Sequence, residues 1–141
     1  MERNNTYLAL IKRLDNMLEK KLNNVMRELD ITTTQAAALA AVLRIPEGQV
    51  TLKSLEKTMG LSQSVTAGIV SRLEQKKLLE GFGDPSDKRI KLVHITVQGR
   101  ELCLTAQKMM EQAETDGLAG LTETEKEIFG SLLKKAIATM R

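Results

Sequence analysis

Apolar residues recur at spacings of three and four along most of the chain, a pattern typical of amphipathic helices. A first long helix is predicted over roughly residues 4–29, with the apolar stripe Leu8, Ile11, Leu14, Leu18, Leu22, Val25 and Leu29. A short alanine-rich helix is predicted over residues 35–44. Threonines 32–34 precede it and can cap it, whereas Pro46 and Gly48 end it.

Two further long helices are predicted in the C-terminal part of the chain. One covers about residues 97–117 after the capping residue Thr96, with the apolar side Leu102, Ala106, Met109, Met110 and Ala113. Gly117 and Gly120 interrupt it. Thr122 and Glu125 then form a capping box that opens the last helix, whose apolar positions are Ile128, Phe129, Leu132, Leu133, Ala136, Ile137 and Met140.

Between these long helices, two short helices are predicted to meet at a glycine-containing turn, which defines a helix-turn-helix. Thr51 caps the first helix, Gly60 supplies the turn and Ser62 caps the second helix. The core positions of the second helix are Thr66, Ile69, Val70, Leu73 and Leu78.

The opposite face of this second helix is small and uncharged, with Ser64, Ala67, Gly68, Ser71 and Gln75. A helix that enters the major groove needs such a face, because bulky or acidic side chains would keep its backbone away from the base edges. Arg72, Lys76 and Lys77 flank the face, where DNA phosphates would lie.

After Leu79 the helical period stops, and two strands are predicted. The first contains Phe82, and the second carries Ile90, Leu92, Val93, Ile95 and Val97. The turn formers Gly83, Pro85, Ser86 and Asp87 lie between them. The hairpin therefore has Lys88 and Arg89 near its tip, and an arginine there can enter the narrow minor groove. The alternative interpretation is a surface turn with solvated charges.

Positive charge is concentrated in the middle of the chain. Residues 51–100 contain nine Lys or Arg and five Asp or Glu, a net charge of +4, whereas the other residues contain twelve and thirteen, a net charge of −1. Such a basic segment is expected of a protein that binds phosphates, although a solvated face of mixed charge would also produce it.

Several other classes are disfavoured by composition. One cysteine, Cys103, and one histidine, His94, are too few for the usual four-ligand zinc sites or for an internal disulfide, so we expect no metal, no cofactor and a reducing cytoplasm. We predict no membrane segment, since no stretch approaches about 20 apolar residues. No nucleophile elbow, phosphate-binding glycine loop or acid–base pair indicates an enzyme.

The predicted fold is therefore mainly α with a small β-hairpin wing. We assign residues 31–97 to a winged helix-turn-helix module that binds double-stranded DNA, and residues 1–30 and 98–141 to a helical dimerisation region. Because the terminal helices carry more apolar surface than so small a module can bury, a second copy of the chain is their expected partner. A dimer would match a palindromic site with two recognition helices.

The chain resembles the MarR (multiple antibiotic resistance regulator) family of bacterial transcription factors over nearly its whole length. The matching segments are ITTTQ at 31–35, LSQS at 61–64, SRLEQKKLL at 71–79, DPSDKR at 84–89 and ITVQGREL at 95–102. The most specific match is Asp87 and Arg89 of the wing followed by the I-T-x-x-G of residues 95–99.

This resemblance implies a homodimeric regulator, usually a repressor, that a small molecule or cysteine oxidation releases from its operator. It implies a recognition helix over residues 62–71, with Ser62, Gln63, Ser64, Ala67, Gly68 and Ser71 in the major groove. It further implies contacts from the wing or to phosphate by Arg72, Lys76, Lys88 and Arg89, with Asp87 supporting the wing. The cell location implied is the cytoplasm, at the bacterial nucleoid.

Two positions depart from the family pattern: glycine stands at 68, where arginine is frequent, and Thr66 replaces an apolar core residue. The sequence preference of relatives is therefore not transferable. Met17, Met26, Met109 and Met110 are interpreted as core filling or as walls of a site for an apolar or aromatic effector. Cys103 is interpreted as an inert thiol and His94 as a structural histidine. The alternative functions are a protein-interaction module and a regulator that needs no ligand.

Overall fold

The computed structural model describes residues 3–141. After a 3-10 turn at Arg3–Asn5, the elements in chain order are α1 (Tyr7–Glu28), α2 (Thr33–Leu43), β1 (Gln49–Thr51), α3 (Leu52–Met59), α4 (Gln63–Gln75), β2 (Leu79–Gly83), β3 (Lys91–Ile95), α5 (Val97–Gly117) and α6 (Glu123–Met140). The mainly helical architecture with a small wing is confirmed.

Side-chain caps fix where the helices begin. Thr32 and Thr122 each open a capping box, in which the side chain of the third helical residue, Gln35 or Glu125, accepts a hydrogen bond from the backbone of the threonine. Thr51 caps α3 and Ser62 caps α4 through single bonds from Ser54 N and Val65 N. These bonds satisfy backbone N–H groups that a helix start otherwise leaves free.

The sheet has one strand that the sequence pattern did not predict. The strand order of the sheet is β1-β3-β2, with both pairs antiparallel. The unpredicted strand is β1, and Val93 of β3 pairs with Val50 of β1 on one side and Gly81 of β2 on the other. The second predicted strand was also too long: Ile90 precedes β3, and Val97 is the first residue of α5 and 72% exposed. Val97 continues the apolar alternation of the strand and was therefore predicted to belong to it. The structure begins α5 at Val97 instead, because the Thr96 side chain caps the helix by accepting a hydrogen bond from Gly99 N.

Contacts divide the chain into two compact units. The central unit is Asn23–Met109, and the terminal unit takes the chain up to Leu22 together with Met110–Arg141. All the apolar residues that are buried in the described part of the chain belong to the central unit: Val25, Met26, Ile31, Ala38, Leu39, Val42, Leu55, Val70, Leu73, Leu79, Val93 and Ile95. The central unit therefore has a hydrophobic core of its own.

The terminal unit has the opposite character. Ten of the fourteen large apolar residues found exposed among the described residues lie in it: Tyr7, Leu8, Leu10, Ile11, Met17, Ile128, Leu132, Leu133, Ile137 and Met140. Both stretches were predicted to be amphipathic, yet within one chain their apolar stripes remain largely in water. Extended exposed apolar surface of this kind marks an interaction site.

A close backbone approach seats the start of α5 in the central unit. The Thr96 hydroxyl donates to the carbonyl oxygens of Lys77 and Leu78 at 2.7 and 3.1 Å, and Thr96 N donates to Leu78 O at 3.2 Å. A Cβ on Gly99 would lie 2.3 Å from the Leu78 carbonyl oxygen. The I-T-x-x-G pattern thus has a physical reason: threonine bonds the preceding loop, and only glycine fits beneath it.

We predict that Gly99→Ala lowers the free energy of unfolding by about 1–3 kcal/mol, the usual cost of overpacking a filled site. The contact is with backbone, which has little freedom to move aside. Chemical denaturation of the variant and the parent protein measures the difference.

Gly68→Ala is the matched control, because a Cβ at Gly68 meets nothing within 4 Å and the residue lies inside α4. It should raise stability by about 0.5–1 kcal/mol, since alanine is the better helix former. Equal effects of the two alanines would contradict the close approach at Gly99.

Candidate nucleic-acid interface

Helix α4 presents a polar surface that no part of its own unit covers. Thr66, Val70 and Leu73 are buried on its inner side. The residues predicted for the major groove lie outside this core: Ser62, Gln63, Ser64, Gly68 and Ser71 are exposed, and Ala67 is half-buried. The outer face carries no acidic side chain from Ser62 to Ser71, so it can approach a polyanion closely.

Ser62 and Thr66 have structural roles at the start of α4. Ser62 Oγ accepts a hydrogen bond from Val65 N at 3.3 Å and lies 3.5 Å from Ser64 Oγ. The Thr66 hydroxyl donates to Ser62 O at 2.9 Å, although its side chain is fully buried. This bond explains how a polar residue replaces an apolar one in the core, since a buried hydroxyl needs a partner.

Val65 is a residue of α4 that the sequence reasoning missed. It is 49% exposed, in the first turns of the helix and beside the polar outer face. Val65 is not among the buried residues of α4, and about half of its surface remains in solvent. Val65 is thus an apolar group near the start of α4 that is open to contact with another molecule. The helical periodicity did not single it out, because Val65 belongs neither to the apolar core stripe nor to the small, uncharged face.

The wing arginine is held by its own hairpin. Arg89 Nε and Nη2 donate to the two carboxylate oxygens of Asp87, each at 3.1 Å, and Arg89 N also donates to Asp87 Oδ1 at 3.1 Å. These bonds from the side chain and then the backbone of Arg89 lower the pKa of Asp87. The Arg89 side chain is nevertheless 91% exposed, so its remaining N–H groups face solvent in a fixed orientation.

The turn that precedes Arg89 is ordered in the same way. Asp84 Oδ1 accepts hydrogen bonds from the hydroxyl and then the backbone N of Ser86 at 2.6 and 2.8 Å, and these bonds lower the pKa of Asp84. Asp84 N and Ile90 O close the hairpin at 2.9 Å. Lys88 is exposed at this tip. The wing thus presents two cations on a turn with internal hydrogen bonds.

A salt bridge that the sequence did not predict joins α4 to the wing. Lys91 Nζ donates to Glu74 Oε1 at 2.9 Å, which links β3 to α4. The pair crosses the sheet at Gly81, where a Cβ would lie 2.6 Å from Lys91 Cε and 3.0 Å from Glu74 Oε1. Glycine at 81 therefore leaves the room that the pair occupies.

An open cleft of about 460 Å³ lies between the start of α3 and the wing. Its lining includes the cations Lys53, Arg89 and Lys91, with Glu56 as the acidic member, and Gln63 from α4. The cleft thus extends from the wing to the start of α4 and carries an excess of positive charge, which suits an anionic partner.

The flanking cations predicted to contact phosphate differ in their surroundings. Arg72 and Lys77 are exposed on α4 and just after it. Lys76 instead donates to Asp30 O in the turn between α1 and α2 and to Gln35 Oε1 in the first turn of α2. The sequence grouped Lys76 with Arg72 from its position on the helix alone. Its contacts with Asp30 and Gln35 join residues more than 40 positions apart, which no local pattern shows.

Other predicted groups show no ligand chemistry. Burial raises the pKa of the Cys103 thiol, which disfavours the reactive thiolate. His94 Nε2 lies 3.4 Å from Glu80 Oε2, and its ring packs edge-on against Phe82 at 5.4 Å between centroids. Among the described residues, no group of three or more His, Cys, Asp or Glu could hold a metal ion, and no helix has the length and apolarity to cross a membrane.

Comparisons with known proteins agree with this geometry. A sequence profile of the MarR family matches residues 29–90. An uncharacterised HTH-type transcriptional regulator of Bacillus subtilis, YxaD, is 33% identical over 62% of this chain and 62% of its own length. The multiple antibiotic resistance protein MarR of Salmonella typhimurium is 29% identical over 91% of this chain and 88% of its own.

Two solved structures extend the likeness to the whole fold. MepR, a transcription regulator of the Staphylococcus aureus multidrug efflux pump MepA, superposes with a TM-score of 0.85 at 21% identity, over 96% of this chain and 99% of that one. A mutant MarR from E. coli complexed with operator DNA superposes with a TM-score of 0.65 at 26% identity, over 90% of each chain. The sequence profile, the relatives and the solved structures thus all support a winged-helix regulator of the MarR family, and the relatives named here are transcriptional regulators rather than enzymes.

Proposed function

We propose that the chain is a homodimeric repressor that binds a palindromic operator in double-stranded DNA and is released by a small-molecule effector. The observation that carries DNA binding is the uncovered, acid-free outer face of α4 beside the highly exposed Arg89 of the wing. The MarR relative complexed with operator DNA supports it. Repression, effector release and a place in the cytoplasm at the nucleoid are proposed from the likeness to the MarR family.

In this proposal α4 enters the major groove through the segment from Ser62 to Ser71, and Arg89 with Lys88 enters the adjacent minor groove. Arg72 contacts phosphate, and Asp87 keeps the guanidinium of Arg89 aimed outward. The cationic cleft between the wing and α3 follows the phosphate backbone. Each contact has a side chain of the required chemistry on the exposed side of the central unit.

The dimer is proposed on the apolar surface of the terminal unit. Residues 1–30 and 98–141 remain the proposed dimerisation region, and residues 31–97 the DNA-binding module. Ile128 and Leu132 are 53% and 58% exposed and lie one turn apart on α6. In a two-fold symmetric dimer, this apolar stripe of one subunit would be buried against the same stripe of the other.

The effector is proposed to be small and apolar or aromatic, with methionines among its contacts. Met109 and Met110 are half-buried in α5 and Met17 is exposed in α1. The flexible, polarisable thioether adapts to apolar ligands. A regulator without an effector and a protein-interaction module remain the alternatives, and the salt dependence of DNA binding distinguishes the protein-interaction module from the proposal.

We predict that Arg89→Ala weakens binding to the operator by about 1–3 kcal/mol, as expected for a specific groove contact. The duplex would be selected from a random pool, and affinity measured by fluorescence anisotropy over a series of salt concentrations. Arg13→Ala is the control, because Arg13 is an exposed arginine of α1. For the parent protein, log affinity should fall with log salt with a slope of about −0.9 per phosphate neutralised; a flat response would favour a protein partner.

Val65 is predicted to contact the methyl group of a thymine, as apolar side chains do in the major groove. Replacing operator thymines one at a time by deoxyuridine removes only that methyl group. One such duplex should bind the parent protein roughly 3- to 10-fold more weakly and bind Val65→Ala no more weakly than the thymine duplex. Ser64→Ala is the control, and it should keep the parent's discrimination. If no position discriminated, or if Val65→Ala discriminated equally, Val65 would not read a base.

Ile128→Glu with Leu132→Glu should convert the dimer to monomers, because two apolar side chains would no longer be buried between subunits. Losing their burial costs about 3 kcal/mol or more, equivalent to at least about a 100-fold weaker association. Sedimentation velocity measures the association, and Lys134→Glu with Lys135→Glu is the control on exposed positions of the same helix. A stable dimer of the double glutamate variant would remove α6 from the interface.

A further inference from the structure

Lys76 follows the last residue of α4 and turns away from the outer face. Its side chain is 33% exposed. The ammonium group donates to the backbone carbonyl of Asp30, lies 3.9 Å from Asp30 Oδ2, and donates to Gln35 Oε1 at 3.5 Å. Two oxygens of Asp30, in the turn between α1 and α2, and one of Gln35, in the first turn of α2, therefore face one cation, all within the central unit.

The backbone of the turn between α1 and α2 offers carbonyl oxygens that can bind a cation. Asp30 adopts the left-handed conformation with φ 53°, and Ile31 N donates back to Met26 O at 3.0 Å, which ends α1. The carbonyls at such a helix end carry partial negative charge and lack helical partners. A lysine ammonium placed there satisfies one carbonyl and the helix dipole together.

Gln35 connects this contact to the start of α2. Its Oε1 accepts a hydrogen bond from Thr32 N at 3.3 Å in the capping box, and it is the same oxygen that Lys76 approaches. The Gln35 residue is only 6% exposed. Lys76 thus links the end of α4 to the end of α1 and the start of α2 through oxygens that already hold the turn in shape.

We propose that Lys76 is a positioning residue, which fixes the direction of the recognition helix on the α1–α2 turn, and that it does not contact DNA phosphate. The proposal rests on the DNA-binding function proposed above. The last residues of α1 lie in the central unit with α4, and the same helix begins in the segment proposed for dimerisation. In this proposal a change in the direction of α4 alters how the two recognition helices of a dimer fit successive grooves. Lys76 therefore governs the spacing of half-sites that the dimer accepts.

The two roles differ in their salt dependence. A phosphate contact contributes about 0.9 to the slope of log affinity against log salt, and its removal lowers the slope by that amount. A positioning residue releases no counterion, so its removal lowers affinity and leaves the slope unchanged. The two roles also predict different affinities for a single half-site. Loss of a phosphate contact weakens half-site binding, whereas loss of a positioning residue does not, because a half-site has no spacing to match.

The test uses Lys76→Met, with Lys88→Met as the matched control from the wing. Affinity is measured at several salt concentrations for the selected palindrome, for its half-site, and for palindromes with one base pair added to or removed from the centre. Lys76→Met should bind the palindrome roughly tenfold more weakly, the scale of one charge-assisted hydrogen bond. Its slope and half-site affinity should equal those of the parent protein, and its preference among the three spacings should be weaker.

Lys88→Met should instead lower the slope by about 0.9 and keep the spacing preference. Lys76→Arg should restore the spacing preference, because a guanidinium also donates to carbonyl oxygens. A lower slope together with weaker half-site binding for Lys76→Met would overturn the proposal and return Lys76 to the phosphate contacts. An unchanged spacing preference would overturn it as well.

Amide hydrogen exchange tests the contact independently of DNA. Lys76→Met should speed exchange at Ile31 and Thr32 and leave Leu61, in the turn before α4, unchanged. Unaltered exchange at Ile31 and Thr32 would overturn the proposal. If the parent protein bound no duplex, the proposed function would fail, and the exchange result would still decide whether Lys76 holds the turn.

Discussion

The close approach of α5 to the backbone after α4, the proposed recognition helix, is the constraint on which the central unit depends. The Thr96 hydroxyl bonds two successive carbonyl groups, those of Lys77 and Leu78, and Gly99 leaves room for the second. One junction thereby joins the end of α4, the start of β2 and the start of α5. Because Ile95, just before it, is buried in β3, the sheet and two helices share one short piece of backbone.

Helix α4 is accordingly held at its C-terminal end. Lys77 N donates to Glu74 O, and Leu78 N donates back to Leu73 O across a residue with φ 63°. Glu74 bonds Lys91 of the wing, and Lys76 bonds the α1–α2 turn. The N-terminal turns of α4 have no such attachments on their outer side. A helix fixed at one end presents the other to a partner, and N-terminal residues are the ones that reach base edges in helix-turn-helix proteins.

Local signals in the sequence predicted the helices well because capping is a local interaction. Thr51 with Ser54, Ser62 with Val65 and Thr122 with Glu125 are each three residues apart. β1 was missed because its three residues pair with β3 more than forty positions later, and no short-range pattern shows that pairing. The bonds of Lys76 and Lys91 were missed for the same reason, since each joins elements distant in the chain.

The composition of α4 explains why these attachments are needed. Ser64, Thr66, Gly68 and Ser71 are poor helix formers, and Gly68 alone costs about 0.5–1 kcal/mol relative to alanine inside a helix. A surface small enough to approach base edges is therefore gained at the expense of intrinsic helix stability. The buried Thr66, Val70 and Leu73 compensate on the inner side, and the bonds at residues 74–78 compensate at the end. The interactions that keep α4 folded thus lie away from its outer face, which leaves that face free to differ between regulators that share the fold.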